Sequence, residues 1–271
     1  YAMRRAYLAQ VSYIDDKVGE LLATLDQCDL EEETAVVFLS DHGDMLGERG
    51  MVQKRSHYEY SARIPLIIRP AGRLQAPGAG AARAAELDGA ALAAGTKSNA
   101  LAGAGAHAGA LGHTGTRVPE PVSLVDLAPT LLDLAGLGPA ALPVDGATLL
   151  PLMQGRREPD RTVFCESHAA GMTTTTFMAR RGALKYTYAT GYEPQLYDLD
   201  SDPGEWDSLA GNGDYEAEET ALRDAIMSSF DPERIEEDVE ASIARRRVIR
   251  SAMKRAGGPS WDFQPFFDAS G

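Results

Sequence analysis

Residues 34–50 read Thr-Ala-Val-Val-Phe-Leu-Ser-Asp-His-Gly-Asp-Met-Leu-Gly-Glu-Arg-Gly, a short apolar run that stops abruptly at a carboxylate and an imidazole. The run from Thr34 to Ser40 is rich in β-branched residues, so it reads as a strand buried on both faces, as in a parallel sheet flanked by helices. In open parallel sheets ligands bind at the carboxyl ends of strands. Asp41 and His42 stand at that end. Their oxygen and nitrogen donors suit a divalent cation, and the same dipeptide also fits a capping aspartate beside a hydrogen-bonded histidine.

Working outward, Tyr7, Val11, Ile14, Val18, Leu21, Leu22 and Leu25 repeat on a 3.6-residue period. This predicts an amphipathic helix over about 3–27 whose apolar stripe faces a core. A second buried strand is expected over 64–68. A helix is expected over 121–136, closed by Gly136. Strand and helix in this alternation predict an α/β fold with a mostly parallel sheet flanked by helices over residues 1–160. Residues 74–116 interrupt it with an Ala/Gly-rich insertion that has too little bulky apolar surface to offset ordering.

From residue 161 the texture changes. Short strand-like pieces at 163–164, 175–179, 185–188 and 195–199 predict a small antiparallel meander, followed by helices over 215–229 and 232–254. Asp231 and Pro232 form the N-terminal signal of the last helix. Its acidic start and basic end complement the helix dipole. A tail with Trp261, Phe263, Phe266 and Phe267 ends the chain and needs a docking surface. Residues 161–271 are thus expected as a smaller C-terminal subdomain of antiparallel sheet plus helices.

Forty acidic against 26 basic residues give a net charge of −14, which disfavours nucleic acid as a partner. No apolar run approaches the roughly 20 residues that a bilayer span needs, so no membrane partner is expected. The two cysteines, Cys28 and Cys165, lie far apart and read as structural thiols of a reducing compartment. The expected location is the cytoplasm, with a periplasmic or secreted placement left open.

The wider text is more specific. Ser40-Asp41-His42-Gly43-Asp44-Met45-Leu46-Gly47-Glu48-Arg49-Gly50 leads to Lys54 and then to Tyr58-Glu59-Tyr60-Ser61-Ala62-Arg63-Ile64-Pro65-Leu66-Ile67-Ile68. Ser12 to Gly19, Val122 to Gly136, Asp145-Gly146 with Leu149 to Leu152, Lys185-Tyr186, Leu196 to Leu199 and Asp202 to Glu205 follow in order. Together these resemble the sulfatase family of the alkaline phosphatase superfamily. Phe230-Asp231-Pro232, Arg245-Arg246-Arg247 and Pro259 to Pro265 resemble its choline sulfatase branch.

The resemblance implies hydrolysis of a sulfate ester, choline O-sulfate or a similar small alkyl sulfate. It implies Asp41 and His42 as metal ligands and Lys54 as the cation that binds the sulfate. Calcium is the metal expected first, with manganese or magnesium as alternatives. His57 and Glu166 are further candidates for substrate contact, although His57 stands where relatives usually carry an aromatic residue. Ala170 replaces a second acidic residue of the choline branch.

The family's nucleophile is a formylglycine made within a C-x-P-S-R motif, which neither Cys28 nor Cys165 occupies. The resemblance therefore implies the C-terminal part of such an enzyme, with formylglycine and the paired aspartates expected upstream and the fragment alone inactive. It also implies a homo-oligomer in which the aromatic tail reaches a neighbouring subunit. A phosphonate or phosphate diester hydrolase of the same superfamily, or a non-catalytic remnant used in binding or assembly, are the competing functions.

Overall fold

The computed structural model describes residues 2–72, 115, 117–137, 143–168 and 174–255. The Ala/Gly-rich insertion (apart from Gly115) and the aromatic tail fall outside the described residues.

Helix α1 spans Ala2–Gln27. It carries the expected stripe, but the stripe is only partly covered. Tyr7, Val18, Leu22 and Leu25 are half-buried, whereas Val11, Ile14 and Leu21 are exposed, and no residue of α1 is buried. Strand β1 (Val36–Leu39) follows, then a small hairpin of β2 (Met45–Leu46) and β3 (Val52–Gln53). Arg4 fastens α1 to that hairpin, donating to the Leu46 carbonyl at 3.2 Å and to Glu48 at 2.6 Å. The short helix α2 (Glu59–Ala62) leads into β4 (Leu66–Arg69).

The direction of this strand pair was not foreseen. Strands β1 and β4 pair antiparallel, Val36 opposite Arg69 and Leu39 opposite Leu66, and every residue of β1 is only half-buried. The described residues contain no parallel pair. A continuous apolar run signals coverage of two faces, but it carries no information on the direction of the neighbouring strand.

The helix expected over 121–136 begins as a 3₁₀ turn, Leu124–Asp126, and continues as α3 (Leu127–Leu134). Ser123 and Asp126 form a capping box at its start. Gly136 ends it in the left-handed region at φ 75°. Asp126 is 3% exposed and does three tasks: it accepts from Ser123 N at 2.8 Å and Ala147 N at 3.0 Å and pairs with Arg161 at 2.7 Å. That anchors α4 (Leu150–Met153) and the approach to the second sheet.

The meander is present as read from the sequence. Strands β5 (Thr162–Ser167), β6 (Thr176–Arg181), β7 (Leu184–Ala189) and β8 (Gln195–Asp198) form an antiparallel sheet in chain order. Helix α5 (Glu216–Ser229) lays Leu222 and Ile226 across it, against Phe177, Ala179, Tyr186 and Leu196. These side chains are all sealed from water, and each large one contributes roughly 1.5–3 kcal/mol by burial. Helix α6 spans Pro232–Arg255, with Asp231 accepting from Arg234 N at 3.0 Å as its cap. Glu236 ties this helix to the sheet, taking the Thr175 hydroxyl at 2.6 Å and its N–H at 3.0 Å. No helix among the described residues is long and apolar enough to cross a membrane.

Candidate functional site

The end of β1 turns sharply. Gly43 donates its N–H to the Ser61 carbonyl at 2.8 Å, so the turn lies directly on α2. A Cβ at position 43 would sit 2.2 Å from the Tyr60 carbonyl oxygen, closer than any side chain tolerates. Only glycine allows this approach. The turn presents Asp41 and His42 outward, with the Asp41 side chain 82% exposed.

The His42 ring is oriented by its own backbone. Nδ1 lies 2.8 Å from the Gly43 carbonyl, which only an N–H can satisfy, and Nε2 faces the Lys54 ammonium, which can donate only to a lone pair. That lone pair faces two groups. Asp41 Oδ2 is 3.2 Å away and Lys54 Nζ is 2.6 Å away. An imidazole lone pair, a carboxylate and an ammonium thus converge on one small volume. Two donors fit part of a divalent-ion site, oxygen and nitrogen both being acceptable to calcium or manganese. Among the described residues no group of three or more His, Cys, Asp or Glu could enclose a metal. Further ligands would have to join this pair.

Lys54 reaches the turn through an unusual backbone. Its neighbours Gln53 and Arg55 adopt φ 69° and φ 84°, a left-handed conformation uncommon for side-chain-bearing residues. Such conformations persist where the surroundings over-determine them, and they cluster at ligand clamps.

Asp41, His42, Lys54, His57 and Glu166 all line one open cleft of about 1540 Å³. The structure brings the first three into contact and leaves the other two with partners of their own. His57 is 9% exposed and lies 3.0 Å from Thr176 Oγ1 through Nε2. The Thr176 hydroxyl already donates to the Ser167 carbonyl at 3.2 Å, so it accepts from His57. His57 Nδ1 is then an acceptor without a hydrogen-bond partner. Burial, together with the nearby Lys185 charge, pushes the His57 pKa down to about 4, so the ring is neutral at ordinary pH. Glu166, 47% exposed at its side chain, bonds to His168 Nε2 at 2.9 Å. Cys165 also lines the cleft, and burial raises its thiol above the usual range. It is a poor nucleophile, and Cys28 is exposed and does not line the cleft.

Sequence reasoning missed the groups that hold this region from behind. Glu59 opens α2, and its carboxylate meets Arg180 at 3.0 Å and Lys185 at 3.1 Å. Lys185 also lies 2.5 Å from Glu205, an ion pair rather than a directed hydrogen bond. The Lys185 and Glu205 side chains are each 1% exposed. Arg49 stacks on Tyr58 at 4.3 Å and approaches Trp206 at 4.9 Å, joining the hairpin to the same region. The available signal was a lysine at an otherwise apolar strand position and an acidic residue after Asp-Pro-Gly, and no periodicity links the two.

The family model described as Sulfatase matches residues 2–137. The choline-sulfatase of Rhizobium meliloti is 35% identical over 274 residues, which cover 98% of this chain and 45% of that protein. Arylsulfatase K of Rattus norvegicus is 30% identical over 219 residues, covering 77% of this chain and 32% of that protein. The chain thus spans less than half the length of either relative. Among solved structures, a 2-O GAG sulfatase superposes with a TM-score of 0.57 at 26% identity, over 84% of this chain and 42% of its own. The phosphonate monoester hydrolase of Agrobacterium radiobacter shares the fold at the same TM-score of 0.57, with 24% identity over 80% of this chain and 39% of its own. A family match across half of the sequence, including the turn that carries Asp41 and His42, means that this chain belongs to the sulfatase family.

Proposed function

We propose that the protein containing this chain hydrolyses a sulfate ester, choline O-sulfate or a similar small alkyl sulfate. One observation carries the reading: the His42 lone pair, oriented by the Gly43 carbonyl, meets Asp41 Oδ2 at 3.2 Å and Lys54 Nζ at 2.6 Å. Asp41 and His42 are the residues that would hold a divalent ion, calcium foremost. When bound, that ion would polarise sulfate oxygens beside the ammonium. Lys54 would take the charge that builds on those oxygens. His57 and Glu166 line the same cleft and would meet the alcohol part of the ester. Neither cysteine of this chain fits the formylglycine motif, so no nucleophilic step is assigned to it.

The other parts of the reading rest on sequence and surface. Exposed apolar residues along α1 and half-buried β1 support further elements covering them in the whole protein, and the strand–helix order of residues 1–160 is the ground for proposing a mostly parallel sheet flanked by helices there, with a subdomain from residue 161. Two free thiols support a cytoplasmic location. The aromatic residues at 261–267 support a homo-oligomer joined by the tail. Deleting residues 259–271 should lower the mass measured by light scattering; an unchanged mass would remove the oligomer proposal.

The test of function is kinetic. The complete gene product should hydrolyse choline O-sulfate or 4-nitrophenyl sulfate, whereas residues 1–271 alone should not. Lys54→Ala should reduce kcat/KM by about 100-fold, the size of effect seen when one charge-stabilising donor is lost. Asp41→Ala and His42→Ala should empty the metal site by elemental analysis. A wild-type protein that cleaves phosphonate monoesters and leaves sulfate esters untouched would replace this reading with the other one.

A further inference from the structure

We infer that Lys185, buried between Glu59 and Glu205, is a positioning residue that sets the Asp41–His42 turn and Lys54 against each other. The inference rests on the functional reading of those three residues, but its geometry stands alone. Lys185 projects from β7 with its side chain 1% exposed, too deep to touch a ligand in the cleft. Its ammonium lies between two carboxylates, Glu59 at 3.1 Å and Glu205 at 2.5 Å. Glu205 uses its other oxygen to accept the Glu59 N–H at 2.7 Å. The second oxygen of Glu59 accepts from Arg180 at 3.0 Å. The first residue of α2 is therefore gripped by backbone and side chain together.

The turn of the site hangs from that short helix, and Lys54 meets that turn at 2.6 Å from His42 Nε2. At the far end of the helix the Ser61 carbonyl receives the Gly43 N–H at 2.8 Å, which fixes the turn bearing Asp41 and His42. Lys54 and Arg55 lie a few residues before the helix in the chain, the latter in the left-handed region with φ 84°. A helix of four residues has too few internal hydrogen bonds to hold itself. What holds α2 is this charge cluster, in which two cations balance two carboxylates. Without Lys185, two carboxylates face each other away from water, and the start of α2 has to move apart from the sheet.

The experiment reads α2 directly. In residues 1–271 carrying Lys185→Met, hydrogen exchange at the Gly43 amide should accelerate at least about 10-fold, while Phe177 and Tyr186 in the sheet keep their protection. In the complete gene product the same variant should lower kcat by about 100-fold with KM changed less than about twofold, as expected when a transition-state contact is misplaced. If Lys185→Met fails to fold, Lys185→Met/Glu205→Gln takes its place. It removes both charges of the ion pair and keeps an acceptor for the Glu59 N–H. Unchanged Gly43 exchange overturns the inference. So does uniform loss of protection in both variants, because Lys185 would then serve the sheet at large. If Gly43 loosens alone but Lys54→Ala leaves turnover intact, the positioning stands and the functional reading falls.

Discussion

At the scale of single residues, the site depends on which atom carries a proton. In His42 and His57 the hydrogen-bond partners place the donating N–H on opposite ring nitrogens, Nδ1 in the first and Nε2 in the second. His57 has a measurable consequence for stability. In the unfolded chain its ring takes a proton near pH 6.5, and in the folded protein only near pH 4, chiefly because burial disfavours the charged ring. Between those values the unfolded state binds more protons, so acid favours unfolding. The stability held by neutral His57 is therefore complete above pH 6.5 and is lost as the pH falls towards 4, by about 3 kcal/mol in total. Urea unfolding of His57→Phe from pH 7 to pH 4 should show a flatter decline than the parent protein. Identical slopes would show that the ring is hydrated. The sequence pointed to Asp41 and His42 through their place after an apolar run, and to Lys54 through the resemblance to the sulfatase family. It could not show Thr176 opposite His57, because that contact joins residues 119 positions apart.

At the scale of elements, legibility followed the range of the forces involved. The meander, α5, α6 and the glycine that ends α3 were readable, since alternation, caps and turn residues act within a few positions. The direction of β1 against β4 was not, because strand orientation is set by the neighbour and not by the run itself. Helix α1 had the right period, yet its stripe is half-covered, so amphipathicity foretold a helix but not its partner. The turn between β1 and β2 allows a direct test. Gly43→Ala would drive a methyl group into the Tyr60 carbonyl, and a backbone oxygen cannot swing away as a flexible side chain would. We expect a loss of about 1–3 kcal/mol in urea unfolding, the usual range for forced overpacking. A neutral outcome would mean that α2 yields freely at this contact.

At the scale of the whole molecule, two kinds of structure meet at the candidate site. One is local: each strand of the meander pairs with the next one along the chain. The other is distant, and the contact of Glu59 with Lys185 closes a loop of 126 positions. Contacts of the first kind form early because little chain entropy is lost before they are rewarded, and those of the second kind form late. Under mild denaturant the order reverses, so any activity should fade before the sheet signal does. The same loop contains the Ala/Gly-rich residues 74–116, and its entropy grows only with the logarithm of its length. Replacing that insertion by a short Gly-Ser linker would shorten the loop by about a third and gain only about 0.4 kcal/mol. Thermodynamically the insertion is nearly free, which explains how a chain can carry it between segments whose contacts depend on ångström-scale placement. Unfolding midpoints of the shortened and parent chains should then agree to within about 2 °C.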